Sequence, residues 1–148
     1  MTQDTEYPPS RVLIIDTDLG DYFHTKNILQ KHFSEEYPHL QYSPQFLNER
    51  FPDNGLEVLT QGNIDLIILD PNTNSLKPET RRGLDEFLVP MRNRGYRTPV
   101  ICLADPKCIE ENEALKMGAT AYAPKGDDDA LCKALNALYQ PIKASAAA

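Results

Sequence analysis

Two nearly unbroken apolar runs that each end on an aspartate, Arg11 to Asp16 (RVLIID) and Ile64 to Asp70 (IDLIILD), restrict this chain more than any other feature. A strand with one wet face alternates apolar and polar residues. Runs without that alternation suit strands covered on both faces, as in the middle of a parallel sheet. A third run, Thr98 to Leu103 (TPVICL), and a weaker one, Ala119 to Ala123 (ATAYA), repeat the pattern. Helical stripes lie between them. Residues 21–33 carry Tyr22, Phe23, Ile28, Leu29 and Phe33; Leu84, Phe87, Leu88 and Met91 follow i, i+3, i+4, i+7; Leu131, Leu135 and Leu138 follow i, i+4, i+7. Strands alternating with helices imply right-handed crossovers, and predict an α/β domain: a doubly wound five-stranded parallel sheet with helices on both faces.

The second strand is expected within Leu40 to Leu47 (LQYSPQFL), where Pro44 cannot donate a ladder hydrogen bond and so favours an edge position. Asp53-Asn54-Gly55 reads as a turn, with a short helix after it ending near Gly62. Asp127, Asp128 and Asp129 precede the last stripe as capping carboxylates, and Pro141 should stop that helix. With 148 residues, 41% hydrophobic and 25% charged, the chain has the size and composition of one folded domain. That domain is expected at 10–140, after a disordered N-terminal segment, 1–9. The tail, 141–148, has no apolar face to bury and reads as frayed or artificially appended.

The net charge of −7 and pI of about 4.9 should repel nucleic-acid phosphates and anionic lipids. No apolar run approaches the roughly 20 residues of a membrane span. The N-terminus MTQDTEYPPS is polar where a secretory signal would be basic and then apolar. A cytoplasmic protein without direct nucleic-acid or membrane partners is expected. Cys102, Cys108 and Cys132 are neither an even disulfide set nor a closely spaced metal pair, so reduced thiols are expected, with Cys102 in the core.

Ligands of open parallel sheets bind beyond the carboxyl ends of the strands. This sequence puts Asp16 and Asp18 after the first strand, Asp70 at the end of the third, Asp105 after the fourth and Lys125 after the fifth. Close carboxylates repel one another and need a cation, and Mg2+ prefers oxygen ligands with retained water. An aspartate beside such an ion can attack a phosphoryl group while the metal and an ammonium neutralise the charge that develops. Taken singly, each aspartate is equally explained as a helix cap or a solvated loop charge.

Taken together, these segments resemble the receiver domains of two-component response regulators, whose fold is flavodoxin-like, over roughly residues 10–140. VLIID at 12–16 resembles the acidic first strand, DNGLEVL at 53–59 the stretch entering the second helix, and IDLIILD at 64–70 the strand that ends in the phosphoacceptor. PVICL at 99–103 looks like the fourth strand, and GATAYAPK at 118–125 like the fifth. The resemblance implies Asp70 as phosphoacceptor, Lys125 as the phosphate-contacting lysine and Tyr122 as a switching aromatic. It also implies a Mg2+ site from Asp16, Asp70 and the backbone carbonyl of Asn72, with Asp18 as a further candidate. Partners would be a histidine kinase or phosphotransfer protein if the chain is phosphorylated, and otherwise another signalling protein.

Several positions depart from the family pattern. Thr17 stands where a second acidic residue normally contacts the metal, which should weaken Mg2+ binding. Thr73-Asn74 replaces the usual Met-Pro within a longer loop, PNTNSLKPET, and Gly126 stands where a proline usually follows the lysine. Ala104 occupies the Ser/Thr position whose hydroxyl bonds the phosphoryl group and drives the switch. Such departures are like those of atypical or pseudo-receivers, which keep the fold as an interaction module. A working phosphoacceptor and a phosphorylation-independent module are equally compatible with the sequence.

Other signals read blandly. His24, His32 and His39 lack metal-ligand spacing and are expected on the surface; Arg81, Arg82, Arg92, Arg94 and Arg97 read as a solvated helical face. Tyr122 is as readily a packed strand aromatic as a switch. The one enzymatic rival is a small Mg-dependent phosphohydrolase. IIDTDLG at 14–20, with Asp16-Thr17-Asp18, is similar to the opening motif of haloacid-dehalogenase phosphatases and of nucleoside hydrolases; the hydrolases need a much longer chain, and Lys125 and Gly126 stand where the phosphatases usually have a late acidic pair. A non-enzymatic role is expected.

Overall fold

The computed structural model describes residues 4–5, 7–72 and 83–141. Its strands are β1 (Asp4–Thr5), β2 (Arg11–Ile15), β3 (Gln45–Glu49), β4 (Leu66–Leu69), β5 (Val100–Ala104), β6 (Ala121–Pro124) and β7 (Gln140–Pro141). Five of them form one sheet in the order β3-β2-β4-β5-β6 with every pairing parallel, as the unalternating apolar runs predict. The remaining two, β1 and β7, pair with each other in parallel near the two ends of the chain.

Successive residues of a strand point to opposite faces, so each run feeds two cores at once. Leu13, Ile15, Ile67, Leu69, Cys102 and Ala104 enter one cluster with Leu84, Phe87, Leu88 and Met91. Val12, Ile14, Leu66, Ile68, Ile101 and Leu103 enter the other with Leu29, Phe33, Leu131 and Leu135. The second face is covered by α1 (Leu19–Glu36) and α5 (Asp128–Leu138). The first is covered by α2 (Pro52–Thr60), a wide π-turn at Leu84–Leu88 that runs into α3 (Val89–Asn93), and α4 (Glu111–Lys116). Full burial of one such aliphatic side chain is worth about 2 kcal/mol, so a two-faced sheet gains from nearly every residue of β2 and β4.

The structure moves several expected boundaries. Helix α1 begins at Leu19, earlier than the apolar stripe that starts at Tyr22, because Asp18 is its N-cap and accepts the Asp21 N–H at 2.9 Å. Strand β3 lies at the sheet edge as Pro44 requires, but starts only after that proline, where Gln45 N–H donates to Ser10 O at 2.9 Å. Asp53-Asn54-Gly55 is not a turn before α2 but part of its first turns. Gly55 is buried there because a Cβ would come within 2.7 Å of Ile15 Cδ1 and 3.0 Å of Phe87 Cε1, so its bareness lets the helix lie against the sheet. Asp127 caps α5 through the Ala130 N–H at 3.0 Å, and the helix ends at Leu138, ahead of Pro141.

Two side-chain expectations are corrected. His32 is buried, its ring edge-on to Phe33, because the wide apolar face of α1 takes in its position; His24 and His39 are exposed. Arg92 is half-buried and bonds the carbonyls of Tyr96, Thr98 and Gly118, so it ties α3 to its neighbouring loops instead of facing water. Arg81, Arg82, Thr73 and Asn74 lie outside the described residues. Cys102 and Cys108 are buried, Cys132 is half-buried, and none of the three is in a disulfide. Among the described residues, no helix is long and apolar enough to cross a membrane.

Candidate functional site

The sheet ladder continues one residue past three strands, and that extra step pins the backbone of the site. Asp16 N–H donates to Glu49 O at 3.0 Å, Asp70 N–H to Ile15 O at 2.9 Å, and Lys125 N–H to Ala104 O at 2.8 Å. By strand alternation, Asp16 follows the parity of Val12 and Ile14, Asp70 that of Leu66 and Ile68, and Lys125 that of Ala123. All three therefore lean toward the face covered by α1 and α5. They meet there: Lys125 Nζ lies 2.5 Å from Asp70 Oδ2 and 3.2 Å from Asp16 Oδ2.

The second oxygens of both aspartates are held by the chain itself. Asp16 Oδ1 accepts the Asp18 N–H at 2.9 Å, and Asp70 Oδ1 accepts the Asn72 N–H at 3.0 Å. A cleft of about 210 Å³ opens over them, lined by Asp16, Thr17, Asp18, Asp21, Asp70, Asn72, Asp105 and Lys125. Asp18 lines it while its Oδ1 caps α1, and Asp105 lines it while its Oδ1 accepts the Lys107 N–H at 2.9 Å. Ala104 and Tyr122 belong to the opposite face. Ala104 is fully buried, and Tyr122 packs against the same cluster with its hydroxyl donating to Ile109 O at 2.9 Å.

Asp21 completes the cluster and is the residue that sequence reasoning missed. Its Oδ2 lies 2.9 Å from Lys125 Nζ. An acid three residues after an N-cap was the available signal, but it was invisible while α1 was expected to begin at residue 21.

Three carboxylates facing one ammonium set the electrostatics. Burial pushes the Asp16 carboxyl up to about 6, opposed by Lys125 and by the Asp18 amide and reinforced by Asp70. Burial also raises Asp70, against the pull of Lys125. Burial alone would lower Lys125, but the charges of Asp70 and Asp16 outweigh it and hold the ammonium above its ordinary range. Two buried carboxylates that resist ionisation even beside a lysine mark a site short of positive charge. That donor set fits Mg2+, which binds through one or two carboxylates and keeps several waters.

No family model matches the sequence, and no curated protein matches it. Solved structures do match. The receiver domain of a Francisella response regulator is 25% identical, with 86% of this chain and 93% of that one covered and a TM-score of 0.60. A CheY-like response regulator receiver domain from Methylobacillus flagellatus is 16% identical, with coverage of 84% and 93% and a TM-score of 0.59. The N-terminal signal receiver domain of a two-component system response regulator from Bacteroides fragilis is 22% identical, with coverage of 84% and 92% and a TM-score of 0.58. This chain has the fold of the response-regulator receiver domains it matches.

Proposed function

We propose that this receiver, comprising residues 10–140, serves two-component signalling as an interaction module in which Asp70 keeps the acceptor position but is uncoupled from the Tyr122 face. The observation that carries the proposal is Ala104, fully buried at the end of β5 and paired in the sheet with Pro124. A switch that runs from a phosphorylated strand end to the opposite face needs a group that bonds the new phosphoryl oxygens and moves with them. A methyl at residue 104 offers no donor. Partner recognition then depends on the folded surface, and the partner is another signalling protein.

Asp16, Asp70 and the Asn72 carbonyl would hold Mg2+, which would supply neutralising charge for a phosphoryl group. Thr17 contributes no carboxylate, so binding is weaker than a three-acid site would give. Lys125 orients the Asp70 carboxylate through the 2.5 Å contact, and the Asn72 N–H fixes its other oxygen. That pairing supports a second reading, a working phosphoacceptor. In it an Asp70 oxygen bonds to phosphorus as the donor's own bond to phosphorus breaks, P–N in a phosphohistidine or P–O in acetyl phosphate, and the departing imidazole or acetate leaves with that bond's electrons.

The test is exposure to acetyl phosphate, and separately to beryllofluoride, with Mg2+, followed by intact mass and backbone amide shifts, with Asp70→Asn as control. The proposal expects either no adduct, or an Asp70 adduct whose shifts stop short of Tyr122, and equal partner binding by wild type and Asp70→Asn. Shifts that reach Tyr122 and Ile109 in wild type and vanish in Asp70→Asn overturn it in favour of phosphorelay. Ala104→Thr should restore propagation to Tyr122 wherever an adduct forms.

A further inference from the structure

A lysine ammonium has three N–H donors. All three of Lys125's are engaged by carboxylates: Asp70 Oδ2 at 2.5 Å, Asp21 Oδ2 at 2.9 Å and Asp16 Oδ2 at 3.2 Å. The three acids are not equivalent. Asp16 and Asp70 follow strands, are pinned by ladder hydrogen bonds and are 3% and 8% exposed at the side chain, whereas Asp21 sits in the first turn of α1 and is 47% exposed. Only Asp21 can turn its carboxylate into water without leaving a buried charge behind.

We propose that Asp21 is an internal anionic competitor: its carboxylate takes the Lys125 donor that an incoming phosphate oxygen would otherwise use. The proposal deepens the second reading above, in which a phosphoryl group meets Asp70 beside Lys125, and rests on it. The local backbone supports the role. The Asp21 N–H is fixed by the Asp18 cap at 2.9 Å, which holds the first turn of α1 over the cleft. Asp21 and Lys125 both line a second cavity of about 200 Å³ on the α1–α5 side, with His24, Asp127 and Asp128, so their ion pair lies between that cavity and the Asp16–Asp70 cleft. An anion reaching Lys125 must displace the Asp21 carboxylate and withstand its charge. Asp21 is thus a positioning residue that sets how available Lys125 is.

The experiment titrates inorganic phosphate into the 148-residue chain without divalent cation, following the backbone amides of Lys125 and Gly126. Asp21→Asn should bind phosphate about fivefold more tightly than wild type, the scale of a partly exposed ion pair that no longer has to be broken. Asp21→Ser should act alike, and Asp21→Asn combined with Lys125→Met should lose the response. Equal binding by wild type and Asp21→Asn overturns the proposal, as does a phosphate response at Lys125 in neither chain. An equal gain from Asp129→Asn, an exposed acid away from the cleft, would reduce the effect to net charge and overturn it too. Adduct shifts reaching Tyr122 in wild type would instead defeat the proposed function and leave the Asp21 comparison intact.

Discussion

At the amino end of the sheet, Asp65 lies on the surface and its Oδ2 accepts the N–H groups of Ser10 and Arg11 at 2.9 and 3.0 Å. At the carboxyl end, Asp16 and Asp70 are buried and share one lysine. The amino end surrounds its carboxylate with main-chain bonds: Arg11 Nη1 donates to Gly62 O, Tyr139 OH to Asp65 O, and Tyr42 OH to Pro9 O, all at 3.1–3.3 Å. Phe33 anchors that end, with the rings of His32, Tyr37, Tyr42 and Tyr139 within 5.2–6.3 Å. One end spends its polar groups on fixing the chain. The other keeps buried charge that weakens the fold and leaves a cleft where an anion or cation can be met.

The comparison breaks most directly at Phe33, which is completely buried among those rings. Phe33→Ala should cost about 4 kcal/mol, from lost transfer free energy and an unfilled cavity. Urea unfolding would measure it. Where the variant stays folded, phosphate binding at Lys125 should be unchanged, since the residue acts from the far end; a parallel loss of phosphate binding would mean the two ends are not independent.

The next largest effect concerns the sign of the charge at the carboxyl end. The Asp16 carboxyl rises from 3.8 in the unfolded chain to about 6 in the native one, so the native state holds its proton more tightly. The stabilisation from protonated Asp16 is full below pH 3.8 and is lost as pH rises through about 6. Asp16→Asn does not titrate and keeps an oxygen for the Asp18 N–H. Relative to wild type it should therefore gain about 2 kcal/mol between pH 4 and pH 7. Denaturant midpoints across that range test it, and a gap that narrows with rising pH would mean that Lys125 more than offsets the burial of Asp16.

The sheet was legible because both faces of its central strands are covered, and that forces an apolar run with little else in it. The strand-end positions of Asp16, Asp70 and Lys125 followed from where those runs stop. Less legible were features set by an approach between distant residues. Asp53-Asn54-Gly55 has turn composition, yet Gly55 is there for helix packing against Ile15 and Phe87. His32 was expected in water, and the burial that α1 imposes on it depends on tertiary contact with the rest of the second core. Asp21 carries no motif; only the cap at Asp18 and the reach of Lys125 across the sheet give it a role.

The smallest effect sharpens the contrast by removing a carboxylate whose work is only structural. Asp65→Ala leaves the Ser10 and Arg11 amides without their side-chain acceptor. Both are near the surface, where water can replace part of the loss, so the cost should be about 1 kcal/mol and not the larger penalty of an orphaned buried donor. Hydrogen exchange should rise first at Ser10 and Arg11, while the amides of Asp16 and Asp70, bonded to Glu49 O and Ile15 O, keep their protection. If exchange rises equally at both ends, β2 opens as one unit, and the bracing at Asp65 also holds the cleft in shape.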